Sequence, residues 1–218
     1  MNQPIPPSLH FYWYETNAST KTAEYWRQLV GSTHRLMFIA EQLELLHKEQ
    51  DINTVVDSLQ YHVENYLVRI YELRERVFKL ITAITRDEKT VNNLRYLDKR
   101  HDALILLRAK ITLLANDEKI IDLLEDLLIF LDEDVLLHYR NTHEYFLRLG
   151  LWDDYNFYEP QDVLINIQND SENKSKFEII LWQAIRPLIE YYQTKINQVI
   201  QLAIKFLEEV ENKISFDY

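Results

Sequence analysis

A short polar run, His138-Tyr-Arg-Asn-Thr-His-Glu144, contains the residue types whose spacing best suits chemistry. Histidine exchanges a proton near neutral pH, and arginine can hold a phosphate through two hydrogen bonds. Metal-independent RNA cleavage would use His143 as general acid and base, Arg140 to stabilise phosphate charge, and Asn141 to orient the site. The alternative is structural: Arg140 pairs with an acid across a helix contact, and His143 is its hydrogen-bonding neighbour.

A second run, Arg95-Tyr-Leu-Asp-Lys-Arg-His101, separates an arginine from a histidine by five residues. It begins a predicted helix and lies within a stretch rich in cations. We therefore predict nucleic-acid contact through phosphate-binding side chains, which are Arg95, Lys99, Arg100 and His101. The alternative interpretation is an exposed, charged helix surface.

The charge of the chain is unevenly distributed. The net charge is −11, which argues against general nucleic-acid binding. The stretch from Arg69 to Lys110, however, contains eleven Lys/Arg and six Asp/Glu, and we call it the basic segment. From Asp117 to Asp134 there are eight acids and one lysine. Such a distribution can steer partners or promote self-association, and the alternative is a set of solvated helix faces.

The sequence contains no complete motif for binding a metal or a cofactor. Glu44-Leu-Leu-His47 has the Glu-x-x-His spacing of di-iron bundles, but such sites need a second copy, which the sequence lacks. There is no cysteine, so thiolate metal sites and thiol nucleophiles are excluded. No glycine-rich nucleotide-binding loop or nucleophile elbow occurs. We expect no metal and no cofactor.

The elements that must position these residues are helices. Only two glycines occur in 218 residues, which disfavours turn-rich β architectures. Apolar residues three and four apart predict five long helices, over about 19–48, 55–85, 91–114, 118–149 and 175–212. The clearest apolar stripe lies on the second helix, at Val63, Tyr66, Ile70, Leu73, Val77, Leu80 and Ile84.

These helices predict an all-α antiparallel bundle in a single domain over 19–218, with an irregular insertion at about 151–173. Three prolines and four consecutive aromatics predict an extended arm over 1–18. The fourth helix is expected to be apolar on two sides. One stripe runs from Ile121 through Leu131 to Leu149, and the opposite one contains Ile129, Arg140 and His143.

The long helices, the run from Tyr61 to Arg76 and the late Arg140-Asn-Thr-His-Glu144 resemble the HEPN superfamily. These are prokaryotic α-helical bundle proteins, many of them RNA-cleaving toxins or defence components that act as dimers. Their signature is an Arg, commonly followed by a polar residue such as Asn, and a His after a gap of four to six residues. Here two residues separate Arg140 from His143, and regular spacing would assign Tyr145 to the histidine position.

The resemblance implies a homodimer that contacts RNA or a cognate protein partner in a prokaryotic defence or toxin–antitoxin setting. Arg140, Asn141 and His143 would be its site residues, in an active endoribonuclease or in an inactive, RNA-binding member. The competing hypothesis is a non-enzymatic helical scaffold or protein-interaction domain. No apolar run is long enough to span a bilayer, and the first cation is Lys21, so we expect a cytoplasmic protein with no membrane association.

Overall fold

The computed structural model describes residues 21–115, 118–131 and 171–214, and within these ranges the only regular elements are helices. This confirms the all-α prediction. Six helices are described: α1 Lys21–Leu46, α2 Ile52–Thr85, α3 Glu88–Asn93, α4 Leu97–Ala115, α5 Lys119–Leu131 and α6 Ser171–Lys213. The predicted arm over 1–18 lies outside the described residues, as do most of the predicted insertion and the predicted helix beyond Leu131.

Two aspartates start helices by capping them. Before α2, the Asp51 carboxylate accepts the backbone N–H of Thr54 at 3.1 Å and also its hydroxyl. Before α3, the Asp87 carboxylate accepts the backbone N–H of Thr90 at 3.1 Å. Each carboxylate satisfies a donor that has no partner within its own helix.

The third predicted helix, over 91–114, is divided into α3 and α4. At the division, the N–H groups of Leu94, Arg95 and Tyr96 each bond to the carbonyl three residues earlier. Two consecutive asparagines, Asn92 and Asn93, precede the turn, and asparagine is a weak helix former because its side chain competes for backbone hydrogen bonds. The chain therefore tightens into a turn here instead of continuing one α-helix.

The last helix begins earlier than predicted. We predicted that it begins at about residue 175, whereas α6 begins at Ser171. Pro187 lies inside α6.

The described chain divides into two compact units. The first contains residues 21–35, 70–131 and 199–214. Its core is lined by apolar residues that are almost fully buried, among them Leu29, Leu73, Val77, Phe78, Leu107, Ile111, Leu124, Phe206 and Leu207. Two contacts show that α1 and α2 run antiparallel in this unit: Arg76 donates to the Gln28 carbonyl at 2.6 Å, and Arg35 pairs with Glu72 at 3.3 Å.

The second unit contains residues 36–69 and 171–198. Its buried residues come from α1, α2 and α6, and include Leu36, Leu43, Val55, Leu59, Val63, Tyr66 and Ile189. The rings of Tyr66 and Tyr192 meet edge to face, with their centroids 6.2 Å apart. Residues of α1, α2 and α6 belong to both units. The division therefore does not test the prediction of a single domain over 19–218.

The predicted apolar stripes on α2 and α5 are buried where the structure describes them. On α2 the members of the stripe from Val63 to Leu80 are buried, and its last member, Ile84, is half-buried. On α5, Ile121, Leu124 and the residues that follow them on the same stripe are buried. The opposite stripe was expected to be covered as well. Its described member, Ile129, is 45% exposed.

Candidate functional site

The predicted catalytic residues Arg140, Asn141 and His143 lie outside the described residues. Their roles therefore stay predictions. The second candidate, the run from Arg95 to His101, is described in full. It occupies the turn between α3 and α4 and the first turn of α4.

Arg95 is held by an acid and an aromatic ring. Its guanidinium pairs with Glu75 of α2 and lies 4.6 Å from the centre of the Phe78 ring. Arg74 lies 5.1 Å from the same ring centre and donates to the Arg95 carbonyl at 3.5 Å. Glu75 neutralises one charge in this cluster, and Phe78 is buried. The cluster therefore holds the α3–α4 turn against α2. Within it, the charge of Arg95 pairs with Glu75 of the same fold.

The other three residues of this run differ in exposure. Arg100 is only 8% exposed, and its Nε donates to the Leu94 carbonyl at 3.0 Å, at the end of α3. Lys99 is exposed, with its Nζ 5.0 Å from the centre of the exposed Tyr96 ring. His101 is also exposed. The structure thus brings Lys99 and His101 to the surface and turns Arg100 inward, and nucleic-acid contact by the run stays a prediction.

The turn between α2 and α3 is a tight, charged junction. Arg86 has φ 52°, in the left-handed region, and its N–H bonds to the Thr82 carbonyl at 2.8 Å, closing α2. The next residue, Asp87, caps α3 and accepts a hydrogen bond from the ammonium of Lys110 in α4. The Lys110 bond, with help from Thr90, lowers the pKa of Asp87 to about 2. Asp87 therefore stays a carboxylate through the physiological range.

At least four of the eleven cations of the basic segment have acidic partners among the described residues, namely Arg76, Arg95, Arg108 and Lys110. Arg76 and Arg35 share Glu72, Lys110 pairs with Asp87, and Arg108 pairs with acids of α5. Four exposed lysines and arginines of the segment have no ion pair among the described residues, namely Lys79, Arg86, Lys89 and Lys99. Acids therefore neutralise part of the positive charge of the segment, and these four cations stay exposed.

A feature that sequence reasoning missed lies on α4. Leu104, Leu107 and Ile111 are buried, but Leu106 is 56% exposed and Leu113 is 87% exposed. At about 100° per residue, the exposed apolar residues fall on the side of α4 opposite to the core. We call this surface the outward face of α4; it consists of Ile105, Leu106, Ala109 and Leu113.

The sequence contained a signal for this face. The stretch from Ala103 to Ala115 is apolar nearly all round the helix, and such a helix is normally buried on every side. In α4 it is buried on one side only. Exposed apolar surfaces of this kind in soluble proteins mark interaction sites more often than chance.

Two oppositely charged flanks border the outward face. Arg108 reaches Glu118 at 2.9 Å and Asp122 at 2.8 Å, at the start of α5. Lys110 reaches Asp87 beside Arg86, at the α2–α3 turn. Two residues turn a helix by about 200°, so Arg108 and Lys110 point to nearly opposite sides of α4, with the outward face between them.

Among the described residues, no group of three or more His, Asp or Glu could hold a metal ion. Glu44 and His47, at the end of α1, are both exposed. In the ranges that the structure covers, none of the helices has the length and apolar character needed to cross a membrane.

Comparison with protein-family models, with curated proteins and with solved structures found no match for this chain.

Proposed function

We propose that this chain is a non-enzymatic helical interaction domain whose outward α4 face binds protein. The observation that carries the proposal is the row of exposed Ile105, Leu106 and Leu113 on the side of α4 that faces away from the core. Leaving three such side chains in water costs free energy that a contact would recover, at roughly 25 cal/mol per Å² of apolar area buried.

The charges of the chain agree with this proposal. A net charge of −11 opposes contact with phosphates, and acids of the fold pair with at least four of the eleven cations of the basic segment. A protein partner needs no excess of positive charge, because apolar burial supplies most of the free energy of such contacts.

Site-specific photo-crosslinking tests the proposal. A benzoylphenylalanine in place of Leu113 or Leu106 is expected to give a discrete protein adduct in cells that express the chain. The matched control is the same substitution at Leu45 of α1, a leucine with comparable exposure, 52% against 56% for Leu106. Adducts at the α4 positions and none at Leu45 would support the proposal. Absence of adducts at both α4 positions would refute it.

RNA binding of the HEPN type is the second candidate function. Exposed Lys79, Arg86 and Lys89, close together in sequence at the end of α2 and the start of α3, favour it. Lysine and arginine that lack an acidic partner can neutralise phosphates and release counterions. In an active protein, Arg140, Asn141 and His143 would perform metal-independent cleavage in a prokaryotic defence or toxin–antitoxin setting, and a homodimer would compose the cleft.

Fluorescence anisotropy with a single-stranded RNA separates this candidate from the first. Changing Lys79, Arg86 and Lys89 together to Glu should weaken binding more than tenfold at low salt and flatten its salt dependence. Changing three exposed lysines elsewhere in the chain, Lys21, Lys48 and Lys205, to Glu is the control for net charge. Equal RNA affinities of the triple and the control variants would show that the α2–α3 turn does not bind RNA.

An RNA degradation assay tests the catalytic part. Wild type should cleave in the presence of EDTA, and His143→Ala should lose cleavage, since His143 would transfer the proton. Equal turnover by the two proteins would remove His143 from the mechanism.

A further inference from the structure

The two flanks of the outward α4 face differ in net charge. On one side, Arg108 and its three acidic partners Glu118, Asp122 and Glu125 carry −2 together. We call this group the acidic flank. On the other side, Lys110 and residues 86–89, which include its partner Asp87, carry +1 together, and we call this group the basic flank. The apolar row of α4 runs between them, so the surface has a charge polarity across the helix.

A surface with this polarity is complementary to itself under one kind of two-fold symmetry. When two copies face each other across a two-fold axis parallel to α4, the axis places the left flank of one copy opposite the right flank of the other. Each acidic flank therefore meets the basic flank of the other copy. The two α4 helices then run parallel. A two-fold axis across the helices would pair them antiparallel and would place acid against acid and base against base. Opposed like charges disfavour an interface, so the charges of the two flanks favour the parallel arrangement.

We propose that a second copy of this chain covers the outward α4 face, with the two α4 helices parallel about a two-fold axis. This inference rests on the proposed function, that the face binds protein, and names the partner. Ala109 lies midway along the row, where its small side chain lets two helices approach closely. Leu106 and Leu113 lie one turn or less on either side of it and pack against their counterparts.

Asp102 supplies an internal check on this geometry. It is exposed, on the same side of α4, and two turns before Ala109. In a parallel pair the two Asp102 carboxylates approach each other at one end of the contact. Asp102→Asn should therefore lower the dissociation constant of the dimer about two- to fivefold, as expected when a like-charge pair is removed. An unchanged or weaker dimer in this variant would contradict the parallel arrangement.

Sedimentation equilibrium of the full chain measures the association. We expect a monomer–dimer equilibrium that weakens as salt screens the flanks. Leu113→Glu should raise the dissociation constant at least tenfold, because it places a charge within an apolar contact. Leu45→Glu, at an exposed leucine of α1, should leave it unchanged. Leu113 is 87% exposed, so the variant is expected to fold, and circular dichroism checks this.

The absence of cysteine permits a direct test of helix direction. In a parallel pair every position near the axis faces its own counterpart, so Leu106→Cys and Leu113→Cys should each form a disulfide-linked dimer under mild oxidation. Leu45→Cys is the control and should form no disulfide-linked dimer. In an antiparallel pair only one position along α4 faces itself. Cross-linking at one of the two α4 positions but not at the other would overturn the parallel model.

The outcomes separate this inference from the function on which it rests. A photo-adduct at Leu113 with twice the mass of the chain supports both. An adduct with a different protein, together with a strictly monomeric chain in sedimentation, overturns the second-copy inference and leaves the interaction function intact. Absence of both adduct and dimer overturns both.

Discussion

At the residue scale, the Asp87 carboxylate binds groups from two helices. It caps α3 through the N–H of Thr90 and binds the ammonium of Lys110 from α4. Both bonds favour the ionised carboxylate, which is why the pKa of Asp87 falls from 3.8 to about 2. Two kinds of interaction, a local cap and a tertiary ion pair, thus meet on one side chain.

This pKa gives a pH dependence with a defined sign. The folded state has the lower pKa, so it favours the charged form, and the contribution of Asp87 to stability is complete above about pH 4. It is lost as the pH falls from about 4 to about 2. Wild type should therefore lose more stability over this window than Asp87→Asn, whose amide keeps the helix cap without the charge. Thermal melts at pH 7, 4, 3 and 2 compare the two proteins, and parallel curves would contradict the prediction.

Arginine residues show why a count of cations says little about a binding surface. The sequence placed Arg95 and Arg100 in a phosphate-binding run, and the structure gives both a role inside the fold. Arg95 joins Glu75 and Phe78, and Arg100 holds the carbonyl of Leu94. Arginine suits such roles, because its planar group stacks on rings and donates in several directions at once.

At the element scale, α4 is the helix whose periodicity is hardest to interpret. Apolar residues lie on nearly all sides of this helix, so the sequence does not indicate which side faces the core. The neighbours of α4 in the first unit determine which side is buried: Leu104, Leu107 and Ile111 face inward, and Leu106 and Leu113 face outward.

Two adjacent leucines allow a matched test of this assignment. Leu107 is 0% exposed and Leu106 is 56% exposed. Leu107→Ala should lower the free energy of unfolding by about 2–5 kcal/mol, because it leaves a cavity in the core. Leu106→Ala should change the free energy of unfolding of the monomer by less than about 0.5 kcal/mol. Urea unfolding at a concentration below dimer formation measures both, and equal losses would show that the two faces of α4 are assigned wrongly.

At the scale of the whole molecule, charges hold distant segments of the chain together. Lys119, at the start of α5, pairs with Glu209 of α6 at 2.5 Å, and 90 residues separate them in sequence. The Glu209 side chain is only 9% exposed, whereas that of Lys119 is 61% exposed. A buried carboxylate is costly unless a cation or hydrogen-bond donors compensate it.

Removing the cation should therefore expose this cost. Lys119→Met is expected to lower the free energy of unfolding by about 1–3 kcal/mol, because a buried charged acceptor loses its strongest donor. The double variant Lys119→Met/Glu209→Leu should recover most of the loss, since no buried charge remains. Chemical denaturation of the single and double variants gives the comparison. A Lys119→Met protein as stable as wild type would show that Glu209 does not depend on this pair.

By itself, the sequence determined the fold class and most helices of this protein. Scarce glycine and apolar residues three and four apart suffice for that, because helix formation and amphipathicity depend on neighbours within a few positions. The buried stripes on α1, α2 and α5, and the cap at Asp51, follow from the same local rules.

Only the tertiary structure decided which charges are neutralised and which apolar side of α4 faces the solvent. Glu75, Asp87 and Glu118 reach their partners across 10 to 23 residues of sequence, through contacts that no local pattern encodes. Burial and ion pairing depend on what lies opposite a side chain in space, and spacing along the chain does not contain that information.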